Sequence, residues 1–268
     1  MVSEQQLFIP HPSLRLNEVP AAALHLCGPT VLGYSFSAKR WGRFAIESFK
    51  KICWSDKAFD HLVLSKDKKD LIESLVYADQ SNMVSDVISS KAGGFIIILY
   101  GKPGTGKTLT AEAAAEKRKC PLMIVSAAEL GYQADQIESK FRNILYVCRA
   151  WNAILLIDEA EVYLEARSLG NLQRNAMVSI FLRLLEYHQL IIFLTTNHIS
   201  RLDTAIKSRV AVAIKYPDLD RKAREEIWTR FLTRAGVQII DDNYPVLGRA
   251  AVSKQELRTL SDIDLNGR

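Results

Sequence analysis

No stretch of this 268-residue chain reaches the ~18 consecutive apolar residues that a membrane-crossing helix needs, although 48% of its residues are hydrophobic. Cysteine is scarce. Cys27, Cys53, Cys120 and Cys148 show no metal-ligand spacing, so a zinc site has no support. Reduced thiols in an intracellular protein, of the cytoplasm or an organelle matrix, are the expectation. The opening "MVSEQQLFIPHPS" is neither a secretory signal nor an arginine-rich transit peptide. There is no internal repeat, no low-complexity segment and no block of one charge sign. Lys and Arg number 35 against 30 Asp and Glu, a net charge of +5. No basic stripe interleaves with aromatics, so a nucleic-acid partner is not favoured.

The 24% of charged residues completes an ordinary globular composition, compatible with a sizeable core. Residues 1–55 read as irregular, because Pro10, Pro12, Pro20 and Pro29 break any long helix. Trp41, Phe44, Phe49 and Trp54 are expected to pack this segment. From residue 62 the rhythm changes. "LSKDKKDLIESLVYA" offers Ser65 as a cap and puts Leu71, Ile72, Leu75 and Val76 on one helical face.

Five short apolar runs follow: "FIIILY" (95–100), "LMIV" (122–125), "AILLI" (153–157), "LIIFLT" (190–195) and "VAVAI" (210–214). Strands buried on both faces of a parallel sheet have this character. Helical patterns separate them. "SAAE" at 126–129 and "DQIE" at 135–138 read as capping boxes. Ile137, Phe141, Ile144, Leu145 and Cys148 keep the helical period, as do Leu172, Ala176, Ile180, Leu184 and Leu185. The alternation predicts an α/β sheet with right-handed crossovers. After Pro217 the strands are expected to stop. "LDRKAREEIWTRFLTRAG" predicts a helix with Ile227, Trp228, Phe231 and Leu232 apolar and Gly236 at its end, and "SKQE" (253–256) opens another. The organisation is thus an N-terminal segment 1–55, an α/β subdomain 56–216 and a helical lid 217–268.

The chemistry begins at "GKPGTGKT", residues 101–108, directly after the first strand run. It fits G-x-x-x-x-G-K-[ST] with Gly101, Gly106, Lys107 and Thr108, in the strand-to-helix context that the motif demands. Pro103, Gly104, Thr105, Gly106, Lys107, Thr108 and Leu109 are expected to line a nucleotide's phosphates. Lys107 would reach the β- and γ-phosphates, and the Thr108 hydroxyl would ligate Mg²⁺. "AILLIDEAE" ends the third strand in two carboxylates. Asp158 would hold Mg²⁺, and Glu159 would activate the attacking water. Glu161 and Glu165 read as helix-surface residues. "LIIFLTTNH" sets Asn197 past the fourth strand, where an amide can hold that water without adding charge. Thr195 and Thr196 are weaker candidates. In "LDTAIKSRVAVAI", Arg209 is the preferred arginine finger for a neighbouring subunit, with Arg201 and Lys207 as competitors.

The order P-loop, Asp-Glu, Asn, Arg and helical tail resembles the AAA+ ATPases over residues 56–268. "RSLGNLQRNAMVSIFLRLLEYH", "FLTTN" and "AIKSRVAVAIKYPDLD" look like a group of fungal AAA-type ATPases. The resemblance implies a P-loop α/β fold with a five-stranded parallel sheet in order 5-1-4-3-2, followed by a lid. It implies ATP and Mg²⁺ as ligands, nucleotide sites between subunits and a hexamer. An aromatic pore loop is reduced to Tyr132 after Gly131, which leaves polypeptide threading open. The lid is expected to be incomplete, since the chain stops at "DLNGR". ATP hydrolysis coupled to remodelling an unknown protein is the leading reading. A nucleotide-switched scaffold and a DNA-linked clamp-loader-like motor are the alternatives.

Overall fold

The structure, a computed structural model, describes residues 28–55, 57–77, 94–131, 134–166, 172–186, 188–241, 251–263 and 266. Pro10, Pro12, Pro20, Cys27 and Tyr132 lie outside them. The chain divides into two compact units, Met1–Ile52 and Cys53–Arg268.

The first unit corrects the expectation of an irregular segment. Strands β1 (Thr30–Ser35) and β2 (Arg40–Ala45) form an antiparallel hairpin in register from Thr30↔Ala45 to Ser35↔Arg40. Lys39 turns the chain at φ 50°. Tyr34 sets its ring edge-on to Phe36 and Trp41, with centroids 5.6 and 5.4 Å away. Gly33 and Gly42 face each other in mid-ladder. Two glycines inside short strands read as turns, which hides the hairpin. Phe49 is exposed rather than packed.

In the second unit α1 (Lys66–Tyr77) opens after Ser65, whose carbonyl accepts from the Lys69 N–H. Ile72 and Val76 are buried, but Leu71 faces outward. Strand β3 (Phe95–Gly101) leads into α2 (Lys107–Arg118) and β4 (Leu122–Val125). Then come α3 (Ala127–Leu130), α4 (Ala134–Ala150), β5 (Ile154–Ile157), α5 (Glu161–Leu164) and α6 (Leu172–Glu186). Strand β6 (Ile191–Thr196), α7 (Thr204–Lys207) and β7 (Val212–Tyr216) complete the α/β layer. The last two strands sit one and two residues later than the apolar runs placed them. Glu129 closes the first expected capping box on the Ser126 N–H at 3.2 Å. Helix α4 starts at Ala134, so Asp135 lies inside the helix and not before it, where the second capping box would need it.

The sheet order is β4-β5-β6-β3-β7, and every pair is parallel. Numbered among these five strands, that is 5-1-4-3-2 read from the far edge. Alternate residues serve opposite faces. Ile97, Leu99, Ile154, Leu156, Ile191, Phe193 and Ile214 join the core that α1 and α2 cover. Ala111, Ala113, Ala114 and Ala115 give α2 a smooth face for that layer. Ile96, Ile98, Leu155, Ile157, Ile192 and Leu194 are of the opposite parity and equally buried. Beyond them Phe181 packs between Phe141 and Tyr163, with centroids 4.5 and 5.0 Å away. On α6 the buried residues include Met177, Val178 and Phe181, whereas Ala176 is exposed.

After Pro217 the expected helices form, but the strands do not stop. Asp220 caps α8 (Arg221–Arg234), accepting from the Ala223 N–H at 2.7 Å. Strands β8 (Gln238–Ile240) and β9 (Ala251–Ser253) pair in parallel, three residues each and too short for a sequence period to show. Ser253 and Glu256 form the capping box of α9 (Lys254–Asp262). The Arg224 guanidinium donates to the Ser261 carbonyl at 2.8 Å, tying α8 to α9. Phe231 on α8 is exposed, contrary to a packed role.

Candidate functional site

Strand order decides what meets at the top of the sheet. β6 lies between β3 and β5, so whatever follows β6 stands between the P-loop and the acidic pair. In parallel sheets ligands gather outside the carboxyl ends of the strands.

The loop after β3 ends at Gly106, whose φ of 95° starts α2. A non-glycine residue there would be strained. The amides of the first turn of α2 have no intrahelical acceptor, and the helix dipole adds positive potential at the same place. Lys107 is 8% exposed and uses its ammonium fully. It donates to the Gly101 carbonyl at 2.7 Å, the Lys102 carbonyl at 2.8 Å and the Asn197 Oδ1 at 3.0 Å. Thr105 braces the loop through the Lys102 carbonyl at 2.8 Å. Thr110 anchors the helix start, donating to the Gly106 carbonyl at 3.0 Å and sharing a 2.5 Å hydrogen bond with the buried Tyr216 hydroxyl. Burial pushes the Tyr216 phenol above its ordinary range.

Asp158 continues the line of β5, its N–H donating to the Val125 carbonyl at 3.0 Å. Its Oδ1 accepts from the Thr108 hydroxyl at 3.3 Å and from the Thr195 hydroxyl. Glu159 turns away from the strand in the left-handed region, φ 54°, and is exposed. That costs a non-glycine residue ~1–2 kcal/mol, a strain that persists where surroundings over-determine it and that clusters at functional sites. Glu161 reaches back to β6: its Oε1 accepts from the Asn197 N–H at 3.3 Å, while its Oε2 is buried and has no partner among the described residues. On α2, burial and then the Asp158 charge raise the Glu112 carboxyl above its usual range.

Lys107 therefore pairs with Asn197 and its neighbour Thr108 with Asp158, and Glu159 adjoins them through the Thr195 hydroxyl, which accepts from the Glu159 N–H at 3.1 Å. Arg209 is not part of this group. It precedes β7 by three residues, at the opposite end of a parallel strand from the P-loop. Its guanidinium donates to the Ala205 carbonyl at 2.8 Å and lies 3.6 Å from the Glu186 carboxylate. It cannot touch phosphates held by its own Lys107. Arg201 is exposed in the turn after Asn197, and Lys207 donates to the Ser200 carbonyl at 3.3 Å.

Three residues carry more than the sequence reading gave them. Thr195 looks like any β-branched strand residue, Glu161 like a helix-surface carboxylate, and Glu112 like part of an alanine-rich helix. Pairing across strands, invisible in a single sequence, brings Thr195 and Glu161 to the site, and Glu112 comes with the first turns of α2.

A divalent cation fits the donor set. The Thr108 hydroxyl and Asp158 carboxylate supply adjacent hard oxygen atoms, as Mg²⁺ requires. Among the described residues no cluster of His, Cys, Asp and Glu forms an all-protein metal cage. No described helix is long and apolar enough to cross a membrane.

Comparison with known proteins agrees with this geometry. Residues 97–218 match the family model for the ATPase family associated with various cellular activities (AAA). The chain is 30% identical over 143 residues to the 26S proteasome regulatory subunit 8 homolog of Encephalitozoon cuniculi, covering 49% of this chain and 36% of that protein. It is 26% identical to fidgetin-like protein 1 of Drosophila melanogaster, covering 80% of this chain and 40% of that protein. With spastin of Drosophila persimilis it shares 26% identity over 74% of this chain and 26% of that protein. The chain thus spans well under half the length of these relatives. Over residues 97–218 the family match agrees with the strand order and with the Lys107–Asn197 and Thr108–Asp158 pairs, so this part of the chain is similar to the AAA ATPase family in sequence, topology and site.

Proposed function

We propose that this chain binds ATP with Mg²⁺ and hydrolyses it, and that it couples turnover to remodelling a protein partner within a homo-oligomer. The observation that carries the reading is the convergence of Lys107, Thr108, Asp158 and Asn197 over three neighbouring strand ends, with Glu159 turned outward beside them. Loop amides and Lys107 would hold the phosphates. Thr108 and Asp158 would hold Mg²⁺, which when bound neutralises phosphate charge. Asn197 would orient a water molecule and Glu159 would accept its proton. The water oxygen would bond to the γ-phosphorus as the bond to the β–γ bridging oxygen breaks, giving ADP and phosphate.

Arg209 supports a subunit-dependent step. Held at the other end of β7, it would stabilise charge only on a neighbour's nucleotide. Phosphate release per chain should then rise with protein concentration. Glu159→Gln should retain ATP and lose turnover, and Lys107→Ala should lose ATP binding. Unchanged turnover in Glu159→Gln sinks the assignment of the base. The tether of Arg209 to its own Glu186 favours a second reading, a nucleotide-switched scaffold. Specific activity that stays negligible at every concentration would select that reading.

A further inference from the structure

We infer that Thr195 is a positioning residue that holds both strand-end carboxylates, Asp158 and Glu159, in working geometry. The inference rests on the site reading above and assigns a part that no motif carries. Thr195 is 1% exposed, in the strand between the P-loop strand and the acidic strand. Its hydroxyl donates to Asp158 Oδ1 and accepts from the Glu159 N–H at 3.1 Å. Its carbonyl accepts from the Ala160 N–H at 2.8 Å. One residue therefore grips three consecutive residues just where the chain leaves β5.

The chemistry of the hydroxyl makes this directional. It has a single hydrogen. With the Glu159 N–H on its oxygen, that hydrogen points to Asp158. Asp158 is thereby fixed on the side that faces the Thr108 hydroxyl, 3.3 Å away on the same carboxylate oxygen. Glu159 is held in a backbone conformation that few non-glycine residues adopt, and the Thr195 hydroxyl is the side-chain partner of its N–H. Thr195 is also in register with Leu99 of β3, two residues before the P-loop begins, so the sheet transmits the loop's position to the acidic pair. A bare strand residue would need only to be buried and β-branched. This one uses its hydroxyl as donor and acceptor at once.

Outer partners of metal-ligating groups cost about 10–100-fold in metal affinity or activity when removed. Thr195→Val keeps shape and removes the hydroxyl, whereas Thr195→Ser keeps the hydroxyl and removes a methyl group. In the full chain, Thr195→Val should lower kcat by about 10–100-fold with KM for ATP nearly unchanged. A second readout needs no turnover: affinity for fluorescent N-methylanthraniloyl-ADP in EDTA and in excess Mg²⁺. Thr195→Val should lose about tenfold of the Mg²⁺-dependent gain in affinity while its EDTA affinity stays as in the parent chain. Thr195→Ser should restore both quantities. Where Thr195→Val is not recovered folded, Thr195→Cys, close in volume and a poor donor, gives the same comparison. Parent-like kcat and parent-like Mg²⁺ gain in Thr195→Val would overturn the inference. Equal damage in Thr195→Ser would overturn it too, since the methyl group would then be what matters. A parent chain that binds the ADP probe but releases no phosphate would sink the hydrolysis reading alone, and the Mg²⁺ comparison would still decide the role of Thr195.

Discussion

Asn197→Asp is the substitution whose two effects should have opposite signs. The Asn197 Oδ1 already accepts from the Lys107 ammonium at 3.0 Å, and the lysine is buried. A carboxylate in the same place turns a neutral acceptor into an ion pair. At that distance two unit charges attract by about 5 kcal/mol at an effective dielectric constant of ~20. Desolvating a half-buried carboxylate takes back several kcal/mol, which leaves a net gain of about 1–2 kcal/mol. For a unit of this size the melting temperature should rise by about 2–8 °C. Nucleotide binding should move the other way. Lys107 must leave the carboxylate to reach a phosphate, so ADP should bind about tenfold more weakly. ATP should lose more than ADP, because its γ-phosphate would face the added negative charge. Scanning calorimetry of the chain without nucleotide gives the first quantity, and titration calorimetry with ADP and ATP gives the second. A melting temperature that falls, together with unchanged ADP affinity, would refute the reasoning: Lys107 and Asn197 would then not be partners.

Three further outcomes follow from packing and titration. Phe181→Ala empties a fully buried site between Phe141 and Tyr163 and should lose about 3–5 kcal/mol in denaturant unfolding; a loss under about 1 kcal/mol would mean the helices collapse to fill it. Burial holds the His188 imidazole at about 4, below its ordinary 6.5, while its Nδ1 accepts from the Leu190 N–H. The unfolded chain takes up that proton first, so stability should be complete above pH 6.5 and should fall by about 3 kcal/mol as pH drops towards 4; His188→Gln should flatten that slope, and an unaltered slope would exclude His188 as its source. Tyr216→Phe removes one partner of Thr110, which keeps its bond to the Gly106 carbonyl, so the loss should be about 1 kcal/mol with ADP affinity intact; a large drop in ADP affinity would mean the Tyr216 hydroxyl itself holds the helix start in place.

The core strands were legible as short apolar runs, a pattern that tertiary context rarely overrides; β5 and β6 are buried on both faces, whereas the edge strand β7 exposes Ala213 and Lys215. The P-loop and acidic pair were legible because chemistry restricts which residues can occupy a strand end. The hairpin at residues 30–45 was not, since its paired glycines and half-exposed strands give no clean alternation. Nor were β8 and β9, whose three residues are shorter than any usable period. Thr195 and Glu161 mark a different limit. Their roles depend on which strand lies beside which, and that order is a property of the whole chain. Arg209 combines both cases: its residue type was readable, but its distance from its own P-loop needed the direction of β7.

The glycines at the two ends of the phosphate loop share a positive φ, 153° and 95°, but only the first is also short of space. A side chain at Gly101 would meet the Tyr216 carbonyl oxygen at 2.4 Å, so the neighbouring strand forbids it. At Gly106 an added methyl group meets nothing within 4 Å, and only the handedness of the backbone objects. Gly101→Ala would push a whole sheet edge aside, whereas a D-alanine installed at position 106 by peptide ligation should be accepted. Damage at the first position thus reports on the edge strand, and damage at the second reports on the entrance to the helix.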